Sequence, residues 1–255
     1  MPRLPDTFLT APIAHRGYHD RSAGCRENSL SAFKAAITAG YGIELDVQPS
    51  SDGVPMVFHD DTLDRLTNQT GPIRDKTAAE LGTLCLKDSN DTIPTLSAVL
   101  DLVAGQVPLL IEIKDQDGAN GPNVGPLEEA VAKTLDGYSG PVALMSFNPH
   151  SMAVIARVAP HLPRGLTTCS YPANDWPAIP PAERARLATI PDYDQVGATF
   201  VSHEAADLAR PRVAELKAAG AAILCWTIRS VEAETKARQI AQNITFENYP
   251  AAIPS

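Results

Sequence analysis

Two short runs in this chain carry carboxylates where apolar residues would be expected. In Ile43-Glu44-Leu45-Asp46-Val47 apolar and acidic residues alternate, so a strand here points Glu44 and Asp46 to one face. Leu110-Ile111-Glu112-Ile113-Lys114 repeats the design, with Glu112 and Lys114 together. A half-exposed strand would explain the pattern, but parallel strands enclosed by helices have no such outer face. Inward carboxylates repel one another unless a cation or a shared proton relieves them. Three carboxylates with positions left for water suit a hard cation, Mg²⁺ or Ca²⁺. Lys114 reads either as a core ion-pair partner of Glu112 or as a charge for a phosphoryl oxygen.

Histidine enters through a turn. Asp52-Gly53 is a preferred two-residue type I′ hairpin turn. Centred there, it pairs Asp46 with His59 and Gln48 with Val57. Directly opposed residues have Cβ atoms ~5 Å apart on one face, which sets His59 beside the acidic pair. Pro12–His15 is an apolar run that stops at Arg16-Gly17, where Arg16 offers a planar fork to phosphate and Gly17 lets the chain turn close to a ligand. Of the other histidines, His19 lies in a polar loop, His150 and His161 flank a helix as surface residues, and His203 follows a strand end and is a candidate for the site's mouth. Trp226, also at a strand end, packs on a substrate tail or fills the barrel top.

These residues must be positioned by elements. Apolar runs at Pro12–His15, Gly42–Val47, Pro108–Lys114, Val142–Phe147, Gly165–Thr168, Thr199–Ser202, Ala221–Ile228 and Asn243–Phe246 read as strands. Helical patterns lie between them: one N-capped by Asn28 and closed by Gly40, one capped by Thr95, one marked by Leu127, Val131 and Leu135. Others fit Ser151–Val158, Ala206–Ala219 and Val231–Ala241. Strand alternating with helix predicts parallel βαβ units. Val54–Phe58 breaks the rule, because only Pro49–Gly53 precedes it and a parallel crossover needs about a dozen residues or more. It is therefore expected as an antiparallel hairpin arm. The eight strands that remain, in 255 residues, predict a single α/β domain over 1–255, a (β/α)₈ TIM-type barrel. Asp60–Ile93, polar and turn-rich, is expected as a short inserted subdomain above the barrel mouth, and proline-rich Tyr171–Pro191 as a second long loop.

Composition narrows the partners. With 44% hydrophobic residues the chain can bury a core, so disorder is excluded. Lys plus Arg number 21 against 30 Asp plus Glu, and a net charge of −9 argues against nucleic acid and against stable membrane association. Cys25, Cys85, Cys169 and Cys225 form no C-x-x-C pair, so neither a zinc knuckle nor a disulfide framework is expected. The N-terminal residues lack an apolar secretion segment, and a cytoplasmic protein is the expectation.

Taken in order, the motifs resemble the glycerophosphodiester phosphodiesterase family. The resemblance runs through Ala14-His15-Arg16-Gly17, Glu27-Asn28-Ser29-Leu30, Ile43-Glu44-Leu45-Asp46-Val47-Gln48, Asp52 to Asp60, Thr62-Leu63-Asp64-Arg65-Leu66-Thr67, Leu110 to Lys114, Ser146-Phe147-Asn148 and Trp226-Thr227-Ile228. It implies a barrel that hydrolyses glycerophosphodiesters to glycerol 3-phosphate and an alcohol. It also implies Glu44, Asp46 and Glu112 as metal ligands, His15 and His59 as an acid/base pair, and Arg16 and Lys114 as phosphate holders. Glu27 would orient Arg16 or approach the metal. The sequence departs at Arg26, where the family often has proline, and at Thr245-Phe246-Glu247, where it commonly has Thr-Asp followed by proline; Glu247 could substitute. Two other readings remain: a lysophospholipid-cleaving phosphodiesterase with the same site, and a non-catalytic phosphate-binding barrel.

Overall fold

A parallel strand with helices on one side and a barrel interior on the other must be apolar on alternate residues facing the helices. The computed structural model, which describes residues 2–254, shows this along most of the barrel strands, with Arg164, Thr168 and His203 as polar exceptions on the helix side. The strands are β1 (Ile13–Ala14), β2 (Gly42–Pro49), β3 (Pro55–Val57), β4 (Leu109–Ile113), β5 (Val142–Ser146), β6 (Arg164–Thr168), β7 (Phe200–Glu204), β8 (Ala222–Ile228) and β9 (Asn243–Phe246). Parallel pairing runs β1-β2-β4-β5-β6-β7-β8-β9 and returns to β1, so eight strands close a (β/α)₈ barrel. Ile43, Leu45, Val47, Leu109, Ile111 and Ile113 face the helix layer and belong to the main core.

The lumen is stratified. Ile13, Leu110, Ala143, Phe200, Ala222 and Leu224 fill its floor, and Phe8, on the helix Thr7–Thr10, packs against them from below. Nothing in the sequence pattern announced this bottom closure, because a four-residue helix has too little periodicity to register. Phe200 also dictates Gly165, where a Cβ would lie 2.4 Å from the Phe200 ring. The inward side chains higher up are polar: Thr167, Ser202 and Thr245 are buried there.

Four local readings need correction. Ser29, not Asn28, caps the helix Leu30–Ala39, its hydroxyl accepting from Ala32 N. An N-cap needs extended backbone, whereas Asn28 has φ +56° and spends its amide on Asp46 Oδ2 at 2.9 Å. The helix expected over Ala206–Ala219 is split into a 3₁₀ turn (Ala205–Asp207) and a helix (Pro211–Ala218), since Pro211 starts a helix readily and cannot continue one. Tyr171–Pro191 is not wholly loop: its own Pro181 opens the helix Pro181–Leu187.

The fourth concerns the hairpin. β3 is antiparallel to β2 as expected, but Val47 faces Val57 and Gln48 faces Met56, one residue away from the expected register. Ser50 N and Val54 O bond at 3.0 Å, leaving the three residues Ser51-Asp52-Gly53 as the loop, with Gly53 at φ +78°. Gly53 N bonds Ser50 O at 3.0 Å, so the loop is a β-turn closed by a left-handed glycine, the arrangement three-residue hairpin loops favour. Ser50 Oγ stabilises it by bonding Asp52 Oδ1 and Val54 N. Asp46 O therefore accepts from Phe58 N, and His59 does not stand opposite Asp46.

Beyond β3, residues 60–93 carry only isolated bridges, a 3₁₀ turn (Ile73–Asp75) and the short helix Ala78–Leu81. Phe58, Leu63, Leu66, Ile73, Leu81, Leu86 and Ile93 pack with Met56 into an apolar cluster separate from the main core. Among the described residues no helix is long and apolar enough to cross a membrane.

Candidate active site

The chemistry sits at the C-terminal ends of the strands, where the polar side of the lumen opens. The register sets Asp46 beside Glu112, and Glu44 lies on the same inward face of β2. All three are buried, with one carboxylate oxygen from each within 4.8 Å of the others. Lys114 leaves β4 on that face and bridges two of them, Nζ lying 2.6 Å from Glu112 Oε1 and 2.9 Å from Asp46 Oδ1. The core ion pair and the inward charge are thus one feature.

Arg16 approaches from β1 through a strained turn. It has φ +55°, and Gly17 follows at φ +81°, where a Cβ would lie 2.9 Å from Ala32 Cβ. The turn aims Arg16 N at Glu44 Oε2 (2.9 Å) and brings Arg16 Nε to 3.5 Å from Asp46 Oδ2. Glu27 takes the other end of the guanidinium, Arg16 Nη1 donating to Glu27 Oε1 at 2.6 Å. It does not join the three carboxylates. Arg65, in the 60–93 segment, donates both terminal nitrogens to Glu27 and also bonds Asp60, so that segment is tied through Glu27 to Arg16.

The two histidines have matching surroundings. His15 Nδ1 donates to Glu247 Oε2 at 2.6 Å, and His59 Nδ1 to Asp60 Oδ1 at 2.7 Å. A carboxylate on Nδ1 fixes the tautomer and leaves Nε2 for chemistry. Both residues line one cavity of about 180 Å³ with Arg16, the three carboxylates, Lys114 and Trp226. His59 reaches it not by strand register but because the chain leaves β3 at Val57 and turns. Glu247, offered in the sequence only as a substitute acid, is the partner of His15 and is itself braced by Arg229 Nε at 2.7 Å. Its pairing spans 232 residues and exists only because β9 closes on β1.

The electrostatics follow from burial. Burial, with Asp46 and Glu112 close by, pushes Glu44 well above the usual carboxylate range. Burial acts on Asp46 the same way but is overcome by Lys114, His59 and Arg16, which hold it low. Lys114 is buried, yet Asp46 and Glu112 raise it. Burial draws His15 down to about 4 despite the Glu247 bond, so its imidazole is neutral at neutral pH. Glu27, buried against Arg65 and Arg16, falls to about 2. Glu44 thus marks a place where negative charge outruns the cations the chain supplies. Buried, all-oxygen and short of positive charge, the set fits a hard divalent cation.

Other expectations sort as follows. Trp226 does two things: Nε1 donates to Ser202 O at 3.0 Å, and its ring lines the cavity against Phe147. His203 is not at the mouth. It faces the helix layer, fully buried, with Nδ1 on Thr168 Oγ1 at 2.7 Å and Nε2 3.3 Å from Asp207, because its neighbours Ser202 and Glu204 take the inward positions of β7. His19 Nε2 is 3.8 Å from Glu247, while His150 and His161 are exposed. All four cysteines are free. Asp60 and Arg65 had no role assigned from sequence, and Asn28 only that of a helix cap, although each sits inside a quoted motif.

Comparison with known proteins agrees with this geometry. A family model described as the glycerophosphoryl diester phosphodiesterase family matches residues 15–247. A glycerophosphodiester phosphodiesterase of Caldanaerobacter subterraneus subsp. tengcongensis is 38% identical over 167 residues, covering 62% of this chain and 66% of that protein. The structure of an Oleispira antarctica phosphodiesterase in complex with the product sn-glycerol-3-phosphate superposes with a TM-score of 0.77 at 26% identity, over 96% of this chain and 95% of that one. A glycerophosphodiester phosphodiesterase from Agrobacterium tumefaciens shares the fold, with a TM-score of 0.68 at 24% identity, over 94% and 97% of the two chains.

Proposed function

Because the chain belongs to the glycerophosphoryl diester phosphodiesterase family and is an enzyme of that class, we propose that it hydrolyses glycerophosphodiesters to glycerol 3-phosphate and an alcohol. The observation that carries this reading is one cavity holding three converging buried carboxylates between two carboxylate-braced histidines.

Glu44, Asp46 and Glu112 would hold the cation, Mg²⁺ or Ca²⁺, which when bound places positive charge on a non-bridging phosphoryl oxygen. Arg16 and Lys114 add charge from either side and offset the repulsion that a phosphodiester presents to any nucleophile. One histidine takes a proton at Nε2 from the nucleophile, and the other gives one from Nε2 to the leaving alkoxide. Glu247 and Asp60 keep each ring in the tautomer this needs. The nucleophile is either water or the substrate's own glycerol 2-hydroxyl, and the second route passes through a cyclic phosphate. Trp226 and Phe147 give the carbon skeleton of the bound diester an apolar wall.

The test is a panel of glycerophosphodiesters assayed after verified metal removal and again with Mg²⁺ or Ca²⁺ restored. Activity should vanish and return. Glu44→Gln, Asp46→Asn and Glu112→Gln should each weaken cation binding by calorimetry and cut kcat/KM by about a hundredfold or more. Full turnover in excess chelator would exclude this reading.

A further inference from the structure

His59 follows an arm outside the closed ring: among the described residues β3 pairs with β2 and with no other strand. Arg16 follows β1, which pairs with the lower end of the same β2. No ladder joins β1 to β3 among the described residues. Yet a phosphate holder and an acid/base ring must keep one spacing, because a misplacement of about 1 Å can cost on the order of a hundredfold in rate.

Arg65 spans that gap with two edges of one guanidinium. Nη1 and Nη2 donate to Glu27 Oε2 and Oε1, each at 2.8 Å. Nε and Nη2 donate to Asp60 Oδ2 at 2.6 Å and to Asp60 Oδ1 at 2.8 Å. Each carboxylate also holds one working group: Glu27 Oε1 accepts from Arg16 Nη1 at 2.6 Å, and Asp60 Oδ1 from His59 Nδ1 at 2.7 Å. Arg16, Glu27, Arg65, Asp60 and His59 therefore form one unbroken chain of charge-assisted bonds.

Fold stability does not account for this arrangement. Arg65 is half-exposed, and ion pairs at such positions stabilise a fold little. Its segment is pinned without the guanidinium, because Leu63 and Leu66 sit in the segment's own apolar cluster and Lys87 N donates to Leu66 O at 2.8 Å. Nor does Arg65 line the catalytic cavity, so any part it plays in the reaction passes through other groups.

We propose that Arg65 is a positioning residue for the phosphodiester reaction, fixing the spacing between the Arg16 guanidinium and the His59 imidazole through Glu27 and Asp60. This rests on the phosphodiesterase reading above and adds a residue that touches no reacting atom. The task needs a planar fork with two usable edges, so lysine, a point charge on a flexible stem, is no substitute. Without Arg65, the Asp60 carboxylate is free to rotate off His59 Nδ1. Glu27 is then also free to take Arg16 with both oxygens and draw it off the phosphate. The first change falls on kcat and the second on affinity.

The test is a pair of double-mutant cycles on the cation-loaded enzyme. It uses the best-cleaved glycerophosphodiester of the panel, with glycerol 3-phosphate binding followed by calorimetry. Arg65→Ala should lower kcat about tenfold and weaken both KM and glycerol 3-phosphate affinity about tenfold. The kcat loss should disappear in an Asp60→Ala background and the affinity loss in a Glu27→Ala background, since a brace adds nothing once the group it holds is gone. Arg65→Lys keeps the charge and should lose as much as Arg65→Ala, while both variants melt close to wild type. Unchanged kinetics in Arg65→Ala, full activity in Arg65→Lys, losses that add in both backgrounds, or losses that merely follow a lowered melting midpoint would overturn the proposal and leave the phosphodiesterase reading intact. A wild-type enzyme that cleaves no glycerophosphodiester with cation present would overturn both.

Discussion

At the scale of single residues, the site is a set of acids doing different things because their neighbours differ. Glu44 lacks a cation, Asp46 has Arg16 and Lys114, and Glu27 and Glu247 serve as braces. The histidine pair gives the sharpest expectation: His15→Ala and His59→Ala should stay folded by thermal melt yet lose about a hundredfold or more in kcat. Glu247→Gln should also lose activity, because with its carbonyl held by Arg229 the new amide turns an N–H toward His15 Nδ1 and favours the wrong tautomer. His15 also has a signature in stability. Its folded value of about 4 lies below its ordinary 6.5, so between those values the unfolded chain holds the extra proton. Stability should therefore rise with pH across that window and be lost as pH falls through it, by up to about 3 kcal/mol. Melts of wild type and His15→Gln from pH 4 to 7 check this: the wild type should be the more acid-sensitive, and parallel curves would count against a buried neutral imidazole. The inward acids were readable from sequence because a period of two is unambiguous in a buried strand. The Glu247 partner was not, because it depends on barrel closure. His59 was placed near the acids by a register that the three-residue loop does not have.

Among the elements, the barrel strands divide labour by height. Low positions are apolar and interlock; high positions carry charge. Gly165 shows how tight the lower layer is, since the Phe200 ring occupies the space of its missing side chain. Gly165→Ala should destabilise by about 1–3 kcal/mol, read as a lower midpoint in urea, with kcat little changed at temperatures where the variant is folded. An unchanged midpoint would mean that Phe200 can swing aside. Strand positions and helix order were legible because alternation and apolar runs are local signals. Helix ends were less so: Asn28 and Ser29 are both good cap residues, and only the pull of Asp46 on the Asn28 amide decides between them.

Over the whole molecule, a cation would bind into a site whose protonation is already poised. Glu44 is raised by burial and by Asp46 and Glu112, so a cation binding there competes with its proton. Calorimetric titration with Mg²⁺ or Ca²⁺ in two buffers of different ionisation enthalpy should show proton release on binding, and affinity should rise with pH; affinity independent of pH would contradict the charge deficit. The closed ring that makes this possible was legible from a strand count, while the helix that plugs its floor was not. The segment between residues 60 and 93 has its own apolar cluster and reaches the site's charges through Asp60 and Arg65. For protein engineering this is a cassette joint. A longer or shorter segment can be spliced in to reshape the rim above the site, provided the graft delivers an aspartate to His59 and an arginine to Glu27 and keeps apolar side chains over Met56 and Phe58.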